Sequence, residues 1–310
     1  MVENRKLLLL DSASLYFRAF FGVPDSFTAP DGTPVNAVRG FLDMIATLVT
    51  MRRPDRLVAC WDDDWRPAFR VAALPSYKTH RLTAGSAVVE ESPPGLTPQV
   101  PVIVDLLAAL GIARVGCPGF EADDVMATLA ERAASVGDGP VEVVTGDRDL
   151  FQLVDDERAV TVLYVGRGVR NLEVVDQAWL ERKYGVPTGP AYADLATLRG
   201  DPSDGLPGVA GVGEKSAAGL LTKFPDLAAI RAAAAAGDPL IAPGLAGKIR
   251  AAEDYLSSAG VVVRVVRDAP VEAVDDALPS TPADVTALAE LADRWGVRSS
   301  VNRVLAALQP

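Results

Sequence analysis

Three carboxylates fall within four positions where an amphipathic helix begins. In the stretch EADDVMATLAERA, Glu121 and Asp124 are three residues apart, so they share a helix face, and Asp123 lies beside them. One or two acids in a first helical turn stabilise the helix dipole and need no function. Three acids exceed what the dipole explains, so two interpretations stay open: an acid-rich helix start or part of a metal site.

Single aspartates also follow three strand-like segments. Asp11 ends KLLLLD, Asp62 ends the apolar run of RLVACWD, and Asp147 ends VEVVTGD, with helix-like segments in between. Strands alternating with helices predict a mostly parallel sheet with helices on both faces. One aspartate after a strand is usually a turn residue. Three of them at the carboxyl ends of neighbouring parallel strands would converge on one crevice.

Further acids lie on two loop-like segments. TGDRDLFQL holds Asp147 and Asp149, and GDPSDGLPG holds Asp201 and Asp204, although either segment could be a plain turn. Carboxylates without histidine or cysteine clusters favour Mg²⁺ or Mn²⁺ over zinc. The lone His80 supports neither a zinc site nor a histidine-based triad. An acid-rich pocket of this kind would suit two metal ions about 3.5–4 Å apart, the arrangement used for phosphodiester hydrolysis.

A glycine-rich pattern further along the chain is more specific. GVAGVGEKSAAGLL fits the helix-hairpin-helix pattern, with Gly211, Val212, Gly213 and Ala217 in its key positions. Such glycines let backbone N–H groups at a helix N-terminus approach phosphates without regard to base sequence. Lys215 can add a charge contact.

A basic and aromatic segment, WRPAFR followed by SYKTHR, carries Arg70, Tyr77, Lys78 and Arg81. A solvated basic loop is the simplest interpretation. In the context of the acids, Tyr77 could stack on a base and the cations could hold a scissile phosphate. The irregular residues 82–98 that follow are expected to form a mobile loop or lid.

The overall charge argues, at first sight, against a nucleic-acid partner. The 310 residues carry a formal charge of −11, with a pI near 4.7. Acids gathered at one site and neutralised by divalent ions would explain part of this balance. Cys60 and Cys117 have no ligand spacing and are expected to be buried free thiols. The apolar run at 7–10 predicts neither a secretory leader nor a membrane span.

Taken in order, these motifs resemble the 5′ nuclease family of flap endonucleases, phage 5′-exonucleases and the N-terminal domain of bacterial DNA polymerase I. The matching pieces span nearly the whole chain and include LLLLDSASLYFRAF, NAVRGF, YKTHR, EADDVMATLA, TGDRDLFQL, KYGVP and GDPSDGLPGVAGVGEKSA. The resemblance implies an α/β, PIN-like core with a mostly parallel central sheet flanked by helices. It also implies a helical arch or loop over the active site, and a helix-three-turn-helix (helix-hairpin-helix) DNA-binding region.

The resemblance further implies a role for each candidate residue. The first metal ion would be bound by Asp11, Asp62, Glu121 and Asp123. The second would be served, directly or through water, by Asp124, Asp147, Asp149, Asp201 and Asp204. The catalytic set would be Lys78 and Arg81, which contact the scissile phosphate at the base of the arch, with Asp123 and Asp147. DNA would be contacted by Arg70, Tyr77, Gly211, Gly213 and Lys215. Backbone carbonyls near Val209 and Val212 would bind a monovalent cation, K⁺.

Two features depart from the family pattern. WDDDWRPAFR offers three aspartates where the family usually has one before its Phe-Arg pair. Counting back from that pair favours Asp63, but Asp62 directly follows the apolar run, and we choose it. The segment after Arg81 is also several residues longer than in polymerase-linked relatives, and it carries Glu90 and Glu91 where cations would be expected.

We therefore expect a structure-specific 5′ nuclease, both flap endonuclease and 5′-3′ exonuclease, that uses two or three Mg²⁺ or Mn²⁺ ions in DNA replication and repair. Residues 1–185 would form the core, with the arch or lid at about 66–98, and residues 186–258 the DNA-binding region. Residues 259–310 would form a return strand and a C-terminal helix. The expected setting is a stand-alone cytoplasmic, nucleoid-associated monomer that acts on DNA with 5′ flaps or 5′ ends beside a polymerase and a ligase, away from membranes.

Two other functions are considered. A DNA-binding protein that has lost catalysis would keep the hairpin, but it should lack some acids, and none is missing. A phosphatase with Asp11 as nucleophile would need a second aspartate two residues on, where the sequence has Ala13.

Overall fold

The computed structural model describes residues 5–87 and 89–309. Within these ranges the strands are β1 (Leu7–Asp11), β2 (Arg56–Cys60), β3 (Ala113–Val115), β4 (Val141–Thr145), β5 (Val160–Tyr164) and β6 (Glu173–Val175). They form one sheet in the order β3-β2-β1-β4-β5-β6. All neighbouring pairs are parallel except β5 and β6, which are antiparallel. The prediction of a mostly parallel sheet is confirmed.

The α-helices of the described residues follow in chain order. They are α1 (Ser12–Gly22), α2 (Asn36–Arg52), α3 (Ala68–Ala73), α4 (Gln99–Leu110), α5 (Ala122–Val136), α6 (Gln177–Tyr184), α7 (Gly189–Arg199), α8 (Glu214–Leu221), α9 (Leu227–Ala236), α10 (Pro243–Ala251), α11 (Glu253–Val263), α12 (Val285–Arg294) and α13 (Arg298–Ala307). Among the described residues, no helix has the length and apolar character needed to cross a membrane.

The apolar run of β1 is continuous because helices cover both faces of the sheet. Leu7 and Leu9 pack into the core with α5, α6 and α7, whereas Leu8 and Leu10 pack into the core with α1, α2, α4, α12 and α13. All four leucines are buried, as expected for a central parallel strand. The strand therefore delivers Asp11, its last residue, to the carboxyl edge of the sheet.

The chain order of the strands places a crevice between β1 and β4. From β1 the chain proceeds to β2 and β3 on one side, and then returns to β4 on the other side of β1. In open parallel sheets, ligands bind beyond the carboxyl ends of the strands at such a switch point. Asp11 ends β1, and Asp147 follows β4 by two residues.

The predicted return strand within 259–310 is wrong. Residues 259–263 are the last turn of α11, and the residues after it form an irregular segment rather than a strand. Leu256, Ala259 and Val263 are buried on one face of α11, which packs against α3 and α7. The helical packing of this face outweighs the strand preference of its β-branched valines. Among the described residues after α11, the chain rejoins the sheet at an isolated bridge between Ala277 and Arg56.

The predicted arch, 66–98, contains α3, a single 3₁₀ turn at Thr79–Arg81 and an irregular segment. Residue 88 lies outside the described residues. The irregular segment is tied to the turn because Glu91 N donates to the carbonyl O of Arg81 at 2.7 Å. Leu96 near its end is fully buried.

The helix that follows Asp11 packs closely on α2, and Gly40 is the contact point. A Cβ at Gly40 would lie 2.7 Å from the Cβ of Ala19 and 2.9 Å from Cγ2 of Val23. We expect Gly40→Ala to lower the free energy of unfolding by about 1–3 kcal/mol, because the helices must separate. Urea denaturation measures the loss.

The matched control is Gly219→Ala in α8, where no described atom outside the neighbouring residues and the local helix backbone lies within 4 Å of the added methyl group. This variant should gain about 0.5–1 kcal/mol from helix propensity. An equal gain in both variants would contradict the close packing of α1 on α2.

Candidate metal centre and nucleic-acid interface

A pocket of about 560 Å³ opens beyond the carboxyl ends of β1 and β4. Acidic and basic side chains from distant parts of the sequence line it. The acids are Asp11, Asp62, Glu90, Glu121, Asp123, Asp147 and Asp201, and the cations are Lys78, Arg81 and Arg148. The fold therefore brings the strand-end aspartates together with acids of the EADD and GDPSD segments.

Asp11 and Asp147 are joined through Thr145, the last residue of β4. Thr145 Oγ1 donates to Asp11 Oδ2 at 2.6 Å and accepts from Asp147 N at 2.8 Å. The other Asp11 oxygen accepts from Ser14 N at 3.0 Å and caps α1. Sequence reasoning missed Thr145. The sequence contained a signal for it, because Thr145 is a hydroxyl residue at a strand end, directly before Gly146 and Asp147.

Asp62 and Asp63, the two alternatives offered by the sequence, point to different places. Asp62 lines the pocket, and its Oδ1 accepts from Ala122 N at 2.8 Å, at the start of α5. Asp63 turns toward β3, where its Oδ1 lies 4.0 Å from Nη1 of Arg114. Asp62 therefore lies in the pocket and Asp63 outside it, and the choice of Asp62 as a metal ligand stays a prediction.

Asp149 and Asp204 belong to the same acid cluster, although neither lines the open pocket. Asp149 N donates to Asp147 Oδ1 at 3.0 Å. Burial raises the pKa of Asp149 well above its usual value, and the charges of Asp147, Asp204 and Asp201 raise it further. The 201–204 turn therefore lies close enough to the β4 loop for its acids to interact.

Burial and mutual repulsion disfavour the charged form of several of these acids. The pKa of Asp11 is raised to about 7, mainly by burial, and the charges of Asp62 and Asp147 contribute. The pKa of Asp123 is raised well above its usual value by burial and then by the charges of Asp147 and Asp11. Such groups need protons or cations to share the site at neutral pH.

Glu121 is held by three side chains of the basic segment. Arg70 Nη1 lies 2.6 Å from Glu121 Oε2, Tyr77 OH donates to the same oxygen at 2.8 Å, and Lys78 forms an ion pair with Oε1. Arg70 and Tyr77 are each only 2% exposed. The prediction that these two residues contact DNA is contradicted, because neither side chain can reach a solvent-borne base or phosphate.

Asp124 does not reach the pocket. Its two oxygens accept from both terminal nitrogens of Arg70, from Val266 N at 2.8 Å and from Glu121 N at 3.2 Å, and the side chain is fully buried. Together, Glu121 and Asp124 form a capping box at the start of α5. This placement contradicts the predicted role of Asp124 as a ligand of the second metal.

The donor set of the pocket fits a hard divalent cation. Its candidate ligands are carboxylates, whereas His80 is exposed and both cysteines are buried. Oxygen-only sites suit Mg²⁺ and Mn²⁺. In the part of the chain that the structure describes, no three such side chains already form a metal cage. Ion pairs with Lys78 and Arg81 hold Glu121 and Asp204 instead.

The predicted hairpin joins α7 to α8. Gly211 has a φ of +70°, which favours glycine, and Val212 N donates to Val209 O at 2.8 Å. Helix α8 begins after Gly213 without a side-chain cap, so its first N–H groups are available to an anion. Gly211, Gly213 and Lys215 are exposed, whereas the two valines are buried.

Lys248 of α10 is a further cation at this hairpin that sequence reasoning missed. A Cβ at Gly211 would lie 2.7 Å from its Nζ. No local motif marks this lysine, because it comes from a helix distant in sequence.

Removal of the Arg70 guanidinium should destabilise the fold strongly. Arg70→Met leaves two buried carboxylates without their shared partner, so we expect a loss of about 3–5 kcal/mol in the free energy of unfolding. Urea denaturation at neutral pH measures this loss.

The control is Arg298→Met, whose ion pair with Asp293 is 57% and 62% exposed and should contribute at most about 1 kcal/mol. Similar small losses in both variants would show that the Arg70 cluster does not support the core.

Two family models match the chain. The 5′-3′ exonuclease N-terminal resolvase-like domain matches residues 6–185, and the 5′-3′ exonuclease C-terminal SAM fold matches residues 188–286. Together they cover the sheet, the acid pocket and the hairpin.

Several bacterial proteins are similar over most of the chain. A 5′-3′ exonuclease of Streptomyces coelicolor is 56% identical over 304 residues, which cover 97% of this chain and 99% of that protein. A 5′-3′ exonuclease of Mycobacterium tuberculosis is 54% identical over 312 residues, 97% of each. The DNA polymerase I of the same organism is 39% identical over 284 residues, which cover 90% of this chain and 29% of the polymerase.

Solved structures show the same fold at low sequence identity. The bacteriophage T5 flap endonuclease, in a complex with DNA and metal ions, aligns with a TM-score of 0.66 at 17% identity over 98% of this chain and 99% of that one. Human GEN1 in complex with Holliday junction DNA aligns with a TM-score of 0.65 at 16% identity, over 98% and 71% of the two chains.

Proposed function

This chain belongs to the 5′-3′ exonuclease family, and from that premise we propose that it is a structure-specific 5′ nuclease. It acts as flap endonuclease and 5′-3′ exonuclease, and hydrolyses DNA phosphodiesters during replication and repair. The observation that carries the proposal is the acid pocket at the switch point between β1 and β4, with Lys78 and Arg81 in its wall.

The pocket would hold two ions, Mg²⁺ or Mn²⁺. Asp11, Asp62, Glu121 and Asp123 are assigned to the first, and Asp147, Asp149, Asp201 and Asp204 to the second. Such a pair, when bound, supplies a hydroxide nucleophile from water and stabilises charge on the attacking and leaving oxygens. The raised pKa values of Asp11, Asp123 and Asp149 support the assignment, because divalent ions would relieve the repulsion between these acids.

The chain's own side chains bind and orient the substrate. Lys78 and Arg81 bind the scissile phosphate, because both line the acid pocket and carry hydrogen-bond donors suited to phosphate oxygens. At the hairpin, Gly211, Gly213 and Lys215 bind the phosphate backbone of the duplex. Carbonyl groups around Val209 and Val212 bind K⁺ there. The substrate is DNA with a 5′ flap or a 5′ end.

The organisation of the chain follows from these roles. Residues 1–185 form the nuclease core, residues 186–258 the DNA-binding region, and residues 259–310 return to the core without the strand expected from sequence. The protein acts as a monomer at the nucleoid, beside a DNA polymerase and a ligase. The similarity to a part of DNA polymerase I that makes up 29% of its length supports the first of these partners.

Asp147→Asn and Asp149→Asn test the metal assignment. Each should lower the rate of cleavage of a 5′-flap duplex in Mg²⁺ or Mn²⁺ by at least about 100-fold, because a metal ligand contributes several kcal/mol to transition-state stabilisation. Product lengths from an end-labelled flap, with and without EDTA, measure the activity.

Asp105→Asn is the control, since it removes the same charge from an exposed site on α4. Full cleavage by both the Asp147 and the Asp149 variants would refute the two-metal assignment. DNA binding should persist in both.

Lys215→Ala tests the hairpin. If Lys215 contacts one phosphate, the slope of log affinity against log salt concentration should become shallower by about 0.9 for duplex DNA. Fluorescence anisotropy over a salt series measures the slope.

Lys223→Ala removes the same charge two residues beyond the C-terminal end of α8, at the opposite end of the helix from Gly213, and should leave the slope unchanged. Equal slopes for wild type and Lys215→Ala would exclude this phosphate contact.

A further inference from the structure

Both cations assigned to the scissile phosphate are already paired with assigned metal ligands. Lys78 Nζ forms an ion pair with Glu121 Oε1. Arg81 Nη2 lies 3.0 Å from Asp204 Oδ1 and donates to the carbonyl O of Ser203 at 3.1 Å. A cation held against a carboxylate oxygen competes with a metal ion for that oxygen. The two ion pairs therefore oppose metal binding. They also engage the ammonium and guanidinium groups that are assigned to the substrate phosphate.

The backbone beneath both cations is fixed by contacts between two turns. Lys78 N donates to Asp204 O at 3.1 Å, and Ser76 Oγ donates to Gly205 O at 3.0 Å. Lys78 itself has a φ of +49°, an uncommon conformation for a residue with a side chain. The Cα positions are therefore set, whereas the long stems of Lys78 and Arg81 let their charged ends move.

Glu121 keeps its position if Lys78 leaves. Its Oε2 accepts from Arg70 Nη1 at 2.6 Å and from Tyr77 OH at 2.8 Å, and both donors are buried. Of the three side chains that hold Glu121, Lys78 is the most exposed. Its side chain is 12% exposed, against 2% for that of Arg70. Departure of Lys78 would thus leave Oε1 with the Tyr77 hydroxyl, 3.0 Å away, and open it toward the pocket, while Arg70 and Tyr77 still support the carboxylate.

The charge of Lys78 acts on acids from several elements at once. It lowers the pKa values of Asp62, Asp123, Asp149 and Asp204, against the burial that raises them. Lys78 thus supplies part of the positive charge that divalent ions would bring to the same acids.

We propose that Lys78 and Arg81 are exchange cations. They neutralise the carboxylates of Glu121 and Asp204 in the metal-free protein, and they release these carboxylates when divalent ions bind. The released ammonium and guanidinium groups then bind the substrate phosphate. This inference rests on the proposed function for the identity of the site. It makes metal loading and phosphate binding mutually favourable, because each removes the competitor of the other.

The test is calorimetric titration of Mn²⁺ into the full chain without DNA, on wild type, Lys78→Met and Arg81→Met. We expect Lys78→Met to bind Mn²⁺ about tenfold more tightly than wild type, and Arg81→Met about threefold, because its pair is more exposed. Both variants should nevertheless cleave flaps more slowly. Lys223→Met, distant from the pocket, should bind Mn²⁺ as wild type does.

Unchanged Mn²⁺ affinity would indicate cations that serve only the phosphate, and weaker affinity would indicate residues that position the ligands. Either result, at a melting temperature within a few degrees of wild type, overturns the exchange. Arg81→Met decides alone if Lys78→Met does not fold. Flap cleavage by wild type reports separately on the proposed function. If wild type cleaves flaps but the variants do not bind Mn²⁺ more tightly, only the exchange is rejected. If wild type neither cleaves flaps nor binds Mn²⁺, both proposals are rejected.

Discussion

The crowding of carboxylates at one edge of the sheet is the constraint that the surrounding structure has to satisfy. Parallel strands β1 and β4 end side by side, and their acids meet those of α5 and of the 201–204 turn. Acids at this density repel one another, and burial adds to the cost of charging them. The fold responds by placing a basic segment against them, with Arg70 on the buried side and Lys78 and Arg81 on the open side.

Arg70 is the structural part of that response. It lies between α3, the start of α5 and the last turn of α11, because its Nε donates to Val262 O while its terminal nitrogens contact Glu121 and Asp124. A guanidinium presents several donors in a fixed plane, so one side chain satisfies three partners that a lysine could not align. Arg70 thus fixes the buried side of the acid cluster, whereas Lys78 and Arg81 on its open side are cations on long stems.

Much of the fold and of the pocket could be predicted because the relevant signals are local. The leucine run of β1 reports burial on both faces, and an aspartate at a strand end reports a position at the edge of the sheet. The roles of Arg70 and Tyr77 could not be predicted in this way. A basic and aromatic segment has the same composition whether it faces DNA or is buried against acids, and only tertiary contacts separate the two.

The predictions for Asp124 and for residues 261–266 were wrong for related reasons. Asp124 carries the same charge as its neighbours in EADD, but the helix turn directs it inward to Arg70 rather than into the pocket. Residues 261–266 have a strand-like composition, yet α11 extends through Val263 because its buried face continues that far. In both cases the deciding partner comes from a distant part of the chain. Periodicity carries no information about such partners.

The segment that follows α11 gives the acidic site a late step in its assembly. Val266 N donates to Asp124, and Gln152, beside the β4 loop, contacts Val263 O and Val265 N. The first turn of α5 and the loop that carries Asp149 are therefore completed by residues more than a hundred positions further along. During synthesis the sheet can form first, but its cluster of acids lacks these partners until residues 263–266, which follow the hairpin, have emerged. The hairpin is therefore always synthesised before the acid cluster is complete.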